Sequence, residues 1–239
     1  MTLRWAICFS LAALPLAAAT VTGRVELRDS RDPAVRNRAD FSGVVISLKA
    51  VTGGTAPPGS AKHSIMLQKD KTFTPHVLAV PMGSMVDFPN SDPIFHNAFS
   101  SYSGQIFDVG LYPPGTKRSV RFGRAGIVRV FCNIHSSMSA VIVVVATPHF
   151  AVTKRDGAFE IGDVPPGEYD LTVFHERATE AALQALSRRV TVGQDGASLP
   201  ALGISEAGYL SIPHKNKYGH DYAPETGEHV AYPTKKLRN

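Results

Sequence analysis

Three residues that bind soft metals fall close together near the middle of the chain. In the stretch Phe131 to Ala140, FCNIHSSMSA, Cys132, His135 and Met138 lie within seven residues. A thiolate, an imidazole and a thioether on one loop can converge on a point, and that donor set favours copper. Zinc fits less well, because a thioether is a poor ligand beside the usual Cys, His and carboxylate. A fourth ligand must come from elsewhere. His96, in Phe95-His96-Asn97, follows the polar turn Pro89-Asn90-Ser91-Asp92-Pro93. Two His and one Cys in a plane with a weak axial Met is the arrangement of blue-copper electron-transfer sites. Taken singly, each residue has a plainer reading. A Cys near strands is usually a small buried hydrophobe, a Met usually core, and a His usually satisfied or exposed. The combination carries the metal reading.

The elements that must position these residues read as all-β. Strands are expected at Val21 to Leu27, Gly43 to Leu48, Val77 to Val80, Met85 to Phe88, Ile127 to Phe131 and Ala140 to Ala146. Tyr169, Leu171 and Val173 alternate with Asp170, Thr172 and Phe174, the period of a strand with one buried face. Gly- and Pro-rich turns punctuate them at residues 52 to 60, Pro81-Met82-Gly83, Lys154 to Gly157 and Pro165-Pro166-Gly167. Short strands at this spacing argue for β-sandwiches rather than a βαβ sheet. One piece, Ala178 to Arg189, has a helical apolar face. Apolar density falls from about Ser205, so residues 204–239 are expected to form an extended or disordered tail.

The first nineteen residues have the form of a secretory signal peptide: Arg4, an apolar stretch from Trp5 to Leu16, then Ala17-Ala18-Ala19. Its removal would take Cys8 and leave Cys132 as the single cysteine. A lone thiol in an oxidising compartment must be buried, paired with another chain or bound to metal. The expected location is periplasmic or secreted, with no membrane span after cleavage, since no other segment reaches the ~18 apolar residues a span needs. Of 239 residues, 25 are Lys or Arg and 20 Asp or Glu, and the net charge of +5 is spread out. No basic run marks a nucleic-acid surface.

On the His-Asn pair, the Cys-x-x-His-x-x-Met loop 36 residues after His96, the segment DFPNSDPIFHN and the closing strand AVIVVV, the chain resembles type-1 copper cupredoxins of the plastocyanin and pseudoazurin kind. The similarity spans roughly Met66 to Val145. More narrowly, KDKTFTPHVLAVPMGSMVDFPNSDPIFHNAFS resembles periplasmic cupredoxin-like proteins named for methylamine utilization. The resemblance implies equatorial ligands His96, Cys132 and His135, one type-1 copper per chain, and a backbone near Asn97 that helps fix the Cys132 sulfur. It also implies an exposed His135 ring edge as electron exit. One departure stands out. In the plastocyanin pattern the axial Met lies eight residues after Cys, where this chain has Ala140; Met138 lies six after. Either the loop is shortened with Met138 axial, the preferred reading, or the site lacks a thioether.

A second resemblance covers Phe150 to Glu176, FAVTKRDGAFEIGDVPPGEYDLTVFHE, which is similar to carboxypeptidase regulatory-like β-sandwiches. The expected organisation is signal peptide 1–19, opening strands of that sandwich 20–60, a Greek-key cupredoxin sandwich 61–147, the remainder of the second sandwich 148–203, and the tail. The cupredoxin is then either inserted in the second sandwich or placed in series with it. The other histidines, His63, His76, His149, His175, His214, His220 and His229, read as structural or solvated. No Gly-x-Ser-x-Gly elbow, His-Glu-x-x-His or phosphate loop is present, so an enzyme is the least favoured class. The expected activity is electron transfer with a redox partner such as a dehydrogenase or a c-type cytochrome. The rivals are a copper storage, delivery or sensing protein, and a metal-free two-sandwich interaction or carbohydrate-binding-like module.

Overall fold

The computed structural model describes residues 19–52, 60–101, 104–210 and 213–223. The signal-peptide reading, Cys8 and His229 lie outside the described residues. The protein is all-β, and among the described residues only two short helices interrupt the strands.

The chain opens with β1 (Ala19–Arg28), α1 (Pro33–Arg38) and β2 (Val45–Ala50). Along β1, Ala19, Val21, Val25 and Leu27 are buried while Thr20, Thr22, Arg24 and Arg28 face water. That two-residue period is the side-chain alternation of a strand with one face on a core. Helix α1 has no counterpart in the sequence reading. Its six residues are too few to show a period, and local capping makes it: the Asp32 side chain accepts from Ala34 N–H at 2.8 Å and Pro33 sits in the first turn.

Ten strands follow: β3 (His63–Ile65), β4 (Leu67–Lys69), β5 (Thr72–Thr74), β6 (Val77–Pro81), β7 (Met85–Pro89), β8 (Phe99–Ser100), β9 (Phe107–Asp108), β10 (Lys117–Arg121), β11 (Gly126–Phe131) and β12 (Ser139–Val145). They build one sheet in the order β10-β7-β3, another in the order β6-β12-β11-β8-β9, and a small β4-β5 pair. Met66, Phe73, Val86, Phe88, Phe122, Val128, Val130 and Ile142 fill one core here, and Cys132 and Met138 belong to it.

The chain then returns to where β2 left. β13 (His149–Val152) pairs antiparallel with β2, as does β15 (Gly167–Phe174), while β14 (Ala158–Val164) pairs with β1. Strands β3 to β12 therefore interrupt a second pair of sheets rather than precede it. β16 (Arg188–Val192) extends the β13-β2-β15 sheet, and β17 (Ala197–Ser198) and β18 (Leu202–Ser205) join β1. Val21, Val25, Ile46, Leu48, Phe159, Ile161, Leu171, Leu202 and Ile204 form the core of this part.

Helix α2 (Glu180–Leu186) is shorter than its apolar pattern suggests. Thr179 caps it, accepting from Ala182 N–H, but Arg188 and Arg189 pair with β15 as strand. β12 explains the apolar run AVIVVV. Ala140, Ile142 and Val144 face the core of the inserted sheets. Val141, Val143 and Val145 face outward onto a separate cluster with Val45, Phe150 and Phe174. A strand buried on both faces loses its alternation.

The expected tail is only partly so. β18 carries ordered pairing through Ser205, with Val25 to Arg28 opposite Leu202 to Ser205 in parallel register. Residues 213–223 also pack on the protein, against the loop that carries Cys132.

Candidate metal centre

The centre is built from two connections. The first runs from β7 to β8. Asn90 is buried, and its Oδ1 accepts from Asp92 N–H at 3.0 Å while its Nδ2 donates to the Ile94 carbonyl at 2.8 Å. This Asx turn is why the polar run after β7 reverses instead of continuing as strand. It aims Asp92 inward, where its carboxylate accepts from the backbone N–H groups of Asp70 at 2.6 Å and Lys71 at 2.9 Å. The same carboxylate meets Nε2 of His96 at 2.6 Å. His96 itself is clamped by backbone bonds with Tyr112 in both directions, at 2.9 and 3.2 Å.

The second connection is the seven-residue loop 132–138. Its ends are fixed because Phe131 on β11 pairs with Ser139 on β12. Inside it, Cys132 N–H donates to the Met138 carbonyl at 3.1 Å and Met138 N–H to the His135 carbonyl at 3.2 Å. This folded loop returns His135 over Cys132.

The result is a convergence of three ligand atoms. Nδ1 of His96 lies 3.9 Å from Cys132 Sγ, and Nδ1 of His135 lies 3.7 Å from it. All three residues are buried, and their ligand atoms lie within 4.8 Å of one another. The two imidazoles stand at 67° with centroids 4.9 Å apart.

These distances fit a metal. Bonds of about 2.0 Å to nitrogen and about 2.3 Å to sulfur place N and S about 3.7 Å apart at an angle of about 120°. A neutral imidazole bound to a carboxylate through Nε2–H turns its other nitrogen into the available lone pair. Asp92 thus sets His96 to present Nδ1 toward Cys132. Burial pushes the Cys132 thiol up in pKa, while the backbone N–H groups of Ile134, His135 and Asn97 pull it down. The Asn97 contribution matches the role that the resemblance implies for the backbone there. Burial pushes Asp92 up as well, but the Lys71 N–H, His96 and the Asp70 N–H outweigh it and hold its carboxyl below the usual range.

Met138 is fully buried in the same core as Cys132. Its backbone brackets Cys132 from the far end of the loop. The structure thus brings His96, Cys132 and His135 together and places Met138 beside them.

Asp92 was not singled out from the sequence as part of the site. Its signal was its place four residues before His96 in an acceptor-rich run. A second group was missed because it comes from the expected tail. Tyr222 donates its hydroxyl to the Cys132 carbonyl at 2.7 Å. His214 stacks on Phe131 with centroids 4.0 Å apart, and its Nε2 donates to the Ser136 carbonyl at 2.8 Å. His214 is therefore half-buried against the loop and not a free tail residue. Nor is His135 an exposed edge: it is 1% exposed.

No protein-family model and no curated protein gives a match to the chain. Parts of solved structures do. A purple cupredoxin from Nitrosopumilus maritimus is 19% identical over 34% of this chain and 99% of its own, with a TM-score of 0.32. A reduced Cu(I) form of an amicyanin variant is 19% identical over 43% of this chain and 99% of its own, at 0.33. A copper-containing nitrite reductase from Thermus scotoductus is 22% identical over 41% of this chain but only 25% of its own, also at 0.33. At scores this low, the ligand set and its geometry decide what the centre can hold.

Proposed function

We propose that the chain is a type-1 copper protein that carries single electrons, with one ion bound by His96, Cys132 and His135 and Met138 as the axial ligand. The observation that supports this is the convergence of two Nδ1 atoms on one buried thiol at 3.7 and 3.9 Å. Bound copper supplies a one-electron couple. The protein supplies a site that need not rearrange. Asp92 holds His96 from behind, Tyr112 clamps its backbone, and the paired ends of β11 and β12 hold the 132–138 loop. Burial of all three ligands keeps water out.

A periplasmic location, a dehydrogenase or c-type cytochrome as partner, and a link to methylamine utilization rest on the sequence resemblance. So does the kinship of the β1-β2 and β13–β18 sheets with carboxypeptidase regulatory-like sandwiches. In this reading that part is a scaffold, and the chain is a carrier rather than an enzyme.

One observation favours a second reading, copper storage or delivery: the His135 ring is not open to a docking partner. Titration with Cu(II), followed by visible absorption and EPR, tests both. One equivalent should produce an intense blue thiolate-to-copper band that Cys132→Ser removes. Rapid electron exchange with a small redox mediator supports the carrier. A weak band with facile loss of copper to a chelator supports storage. No band at any ratio sinks both.

A further inference from the structure

Residues 213–223 contact the loop that carries Cys132 and His135 at several points. Tyr222 bonds the carbonyl of Cys132. Lys217 N–H donates to Asn133 Oδ1 at 3.0 Å. His214 bonds the Ser136 carbonyl and stacks on Phe131, the residue before Cys132. These contacts cover the loop from its first residue to its middle.

A fourth contact reaches the other connection. Lys217 Nζ donates to Asp108 Oδ2 at 2.7 Å, and Asp108 Oδ1 accepts from Asn97 Nδ2 at 2.7 Å. Asn97 follows His96 and its backbone N–H bears on the Cys132 sulfur. One segment thus ties together both stretches that carry the ligands. Its own fold is fixed locally: Asn216 Oδ1 accepts from the N–H groups of Tyr218 and His220, and Asn216 and His220 bond through their backbones. It is a built turn and not a chain lying loosely on a surface.

We infer that residues 213–223 are a strap over the metal centre, in which Tyr222 and Lys217 are positioning residues for the Cys132 loop and control access to the His135 side. The inference takes the centre as read above, but it concerns how the thiol is reached and holds for the metal-free chain too. Asn133 and Ser136 flank His135 in the loop and both bond the strap, so an ion or partner that approaches there meets the strap first. Its opening sets the pace of both metal exchange and partner contact on that side.

The test uses the full chain without metal and reads the rate at which a small aromatic disulfide reagent labels Cys132. Tyr222→Phe deletes the hydroxyl that bonds the Cys132 carbonyl and meets His214 Nδ1, and should speed labelling at least about fivefold. Tyr222→Phe with Lys217→Met should speed it more than tenfold, with the urea unfolding midpoint of each variant measured alongside. Lys217→Arg retains a donor for Asp108 and should label at close to the wild-type rate. In a copper-loaded sample, the double variant should also release copper to a chelator faster than wild type. Wild-type labelling rates in the double variant at an unchanged midpoint would overturn the strap. Should the double variant lose its fold, the two single variants decide, and wild-type rates in both would overturn it. A chain that binds no copper but labels faster in the variants would reject the proposed function and leave the strap standing.

Discussion

Asp92 and His96 are four residues apart, and the carboxylate of one meets the Nε2 of the other at 2.6 Å with both side chains nearly inaccessible. This pair decides which imidazole nitrogen faces the thiol. The carboxylate is itself held by two backbone N–H groups from the β4-β5 turn. Orientation of a ligand is thus set by a small hairpin distant in sequence.

Asp92→Asn should weaken copper binding by about 10- to 100-fold, the usual effect of losing a partner behind a ligating histidine. Competition against a chelator of known affinity measures it. Affinity within a factor of two of wild type would mean that the Tyr112 clamp alone orients His96.

If Met138 is axial as proposed, Met138→Ala should leave the thiolate-to-copper band present but shifted, with a changed reduction potential, because an axial ligand tunes the site without supplying its strong bonds. Spectroelectrochemistry reads both. Loss of all copper binding would instead give Met138 a role in forming the loop.

The side-chain cluster around Glu206 should respond to acid. Glu206 accepts from His175 at 2.8 Å and from Arg177 and Ser30. Burial raises its pKa, but these donors outweigh burial and hold it below 4.5. Burial lowers His175 below 6.5 against the pull of Glu206. Both folded values are depressed, so in each case the unfolded chain binds protons first and stability falls with pH. The loss from His175 begins below about pH 6.5 and that from Glu206 below about pH 4.5, each complete at its own folded value. His76 has the opposite sign. Its bond to Glu176 raises it, so its contribution is whole below pH 6.5 and fades as pH rises through the folded value. Glu206→Gln should cost about 1–2 kcal/mol at neutral pH, because half-buried Arg177 loses one charged acceptor but keeps Asp32 and Glu176, and should flatten the loss below about pH 4.5. Urea midpoints across pH would show it; an unchanged slope would remove Glu206 from the account.

β12 should be sensitive on both faces. Ile142→Ala empties part of the inserted core and should cost about 3 kcal/mol. Val143→Ala removes two methyl groups from the opposite face, where Val45 and Phe150 pack, and should cost about 1–2 kcal/mol. If that face were solvent, the change would fall within about 0.5 kcal/mol. Chemical denaturation separates these outcomes.

Much of this was legible in the chain. Alternation in β1 and β15, the turn at Lys154 to Gly157 and the apolar run of β12 are local patterns, and local steric and burial preferences are written residue by residue. The loop Cys132-x-x-His135-x-x-Met138 is local too, so its donor set was readable from types and spacing. His96 could be chosen because its neighbour Asn97 and the preceding turn mark a connection rather than a strand.

What the tertiary structure alone decided lies between segments far apart in the chain. The pairing of β2 with β13 across 98 residues made the arrangement an insertion. Asp92 became a partner of the centre only when Asp70 and Lys71 were folded against it. The sparse apolar content past Ser205 predicted a loose tail, yet Tyr222, Lys217 and His214 are held by hydrogen bonds and one ring stack. Composition measures how much core a segment can bury. It carries no information on which distant carbonyl or carboxylate will accept its donors, and that is settled only when the chain brings them within reach.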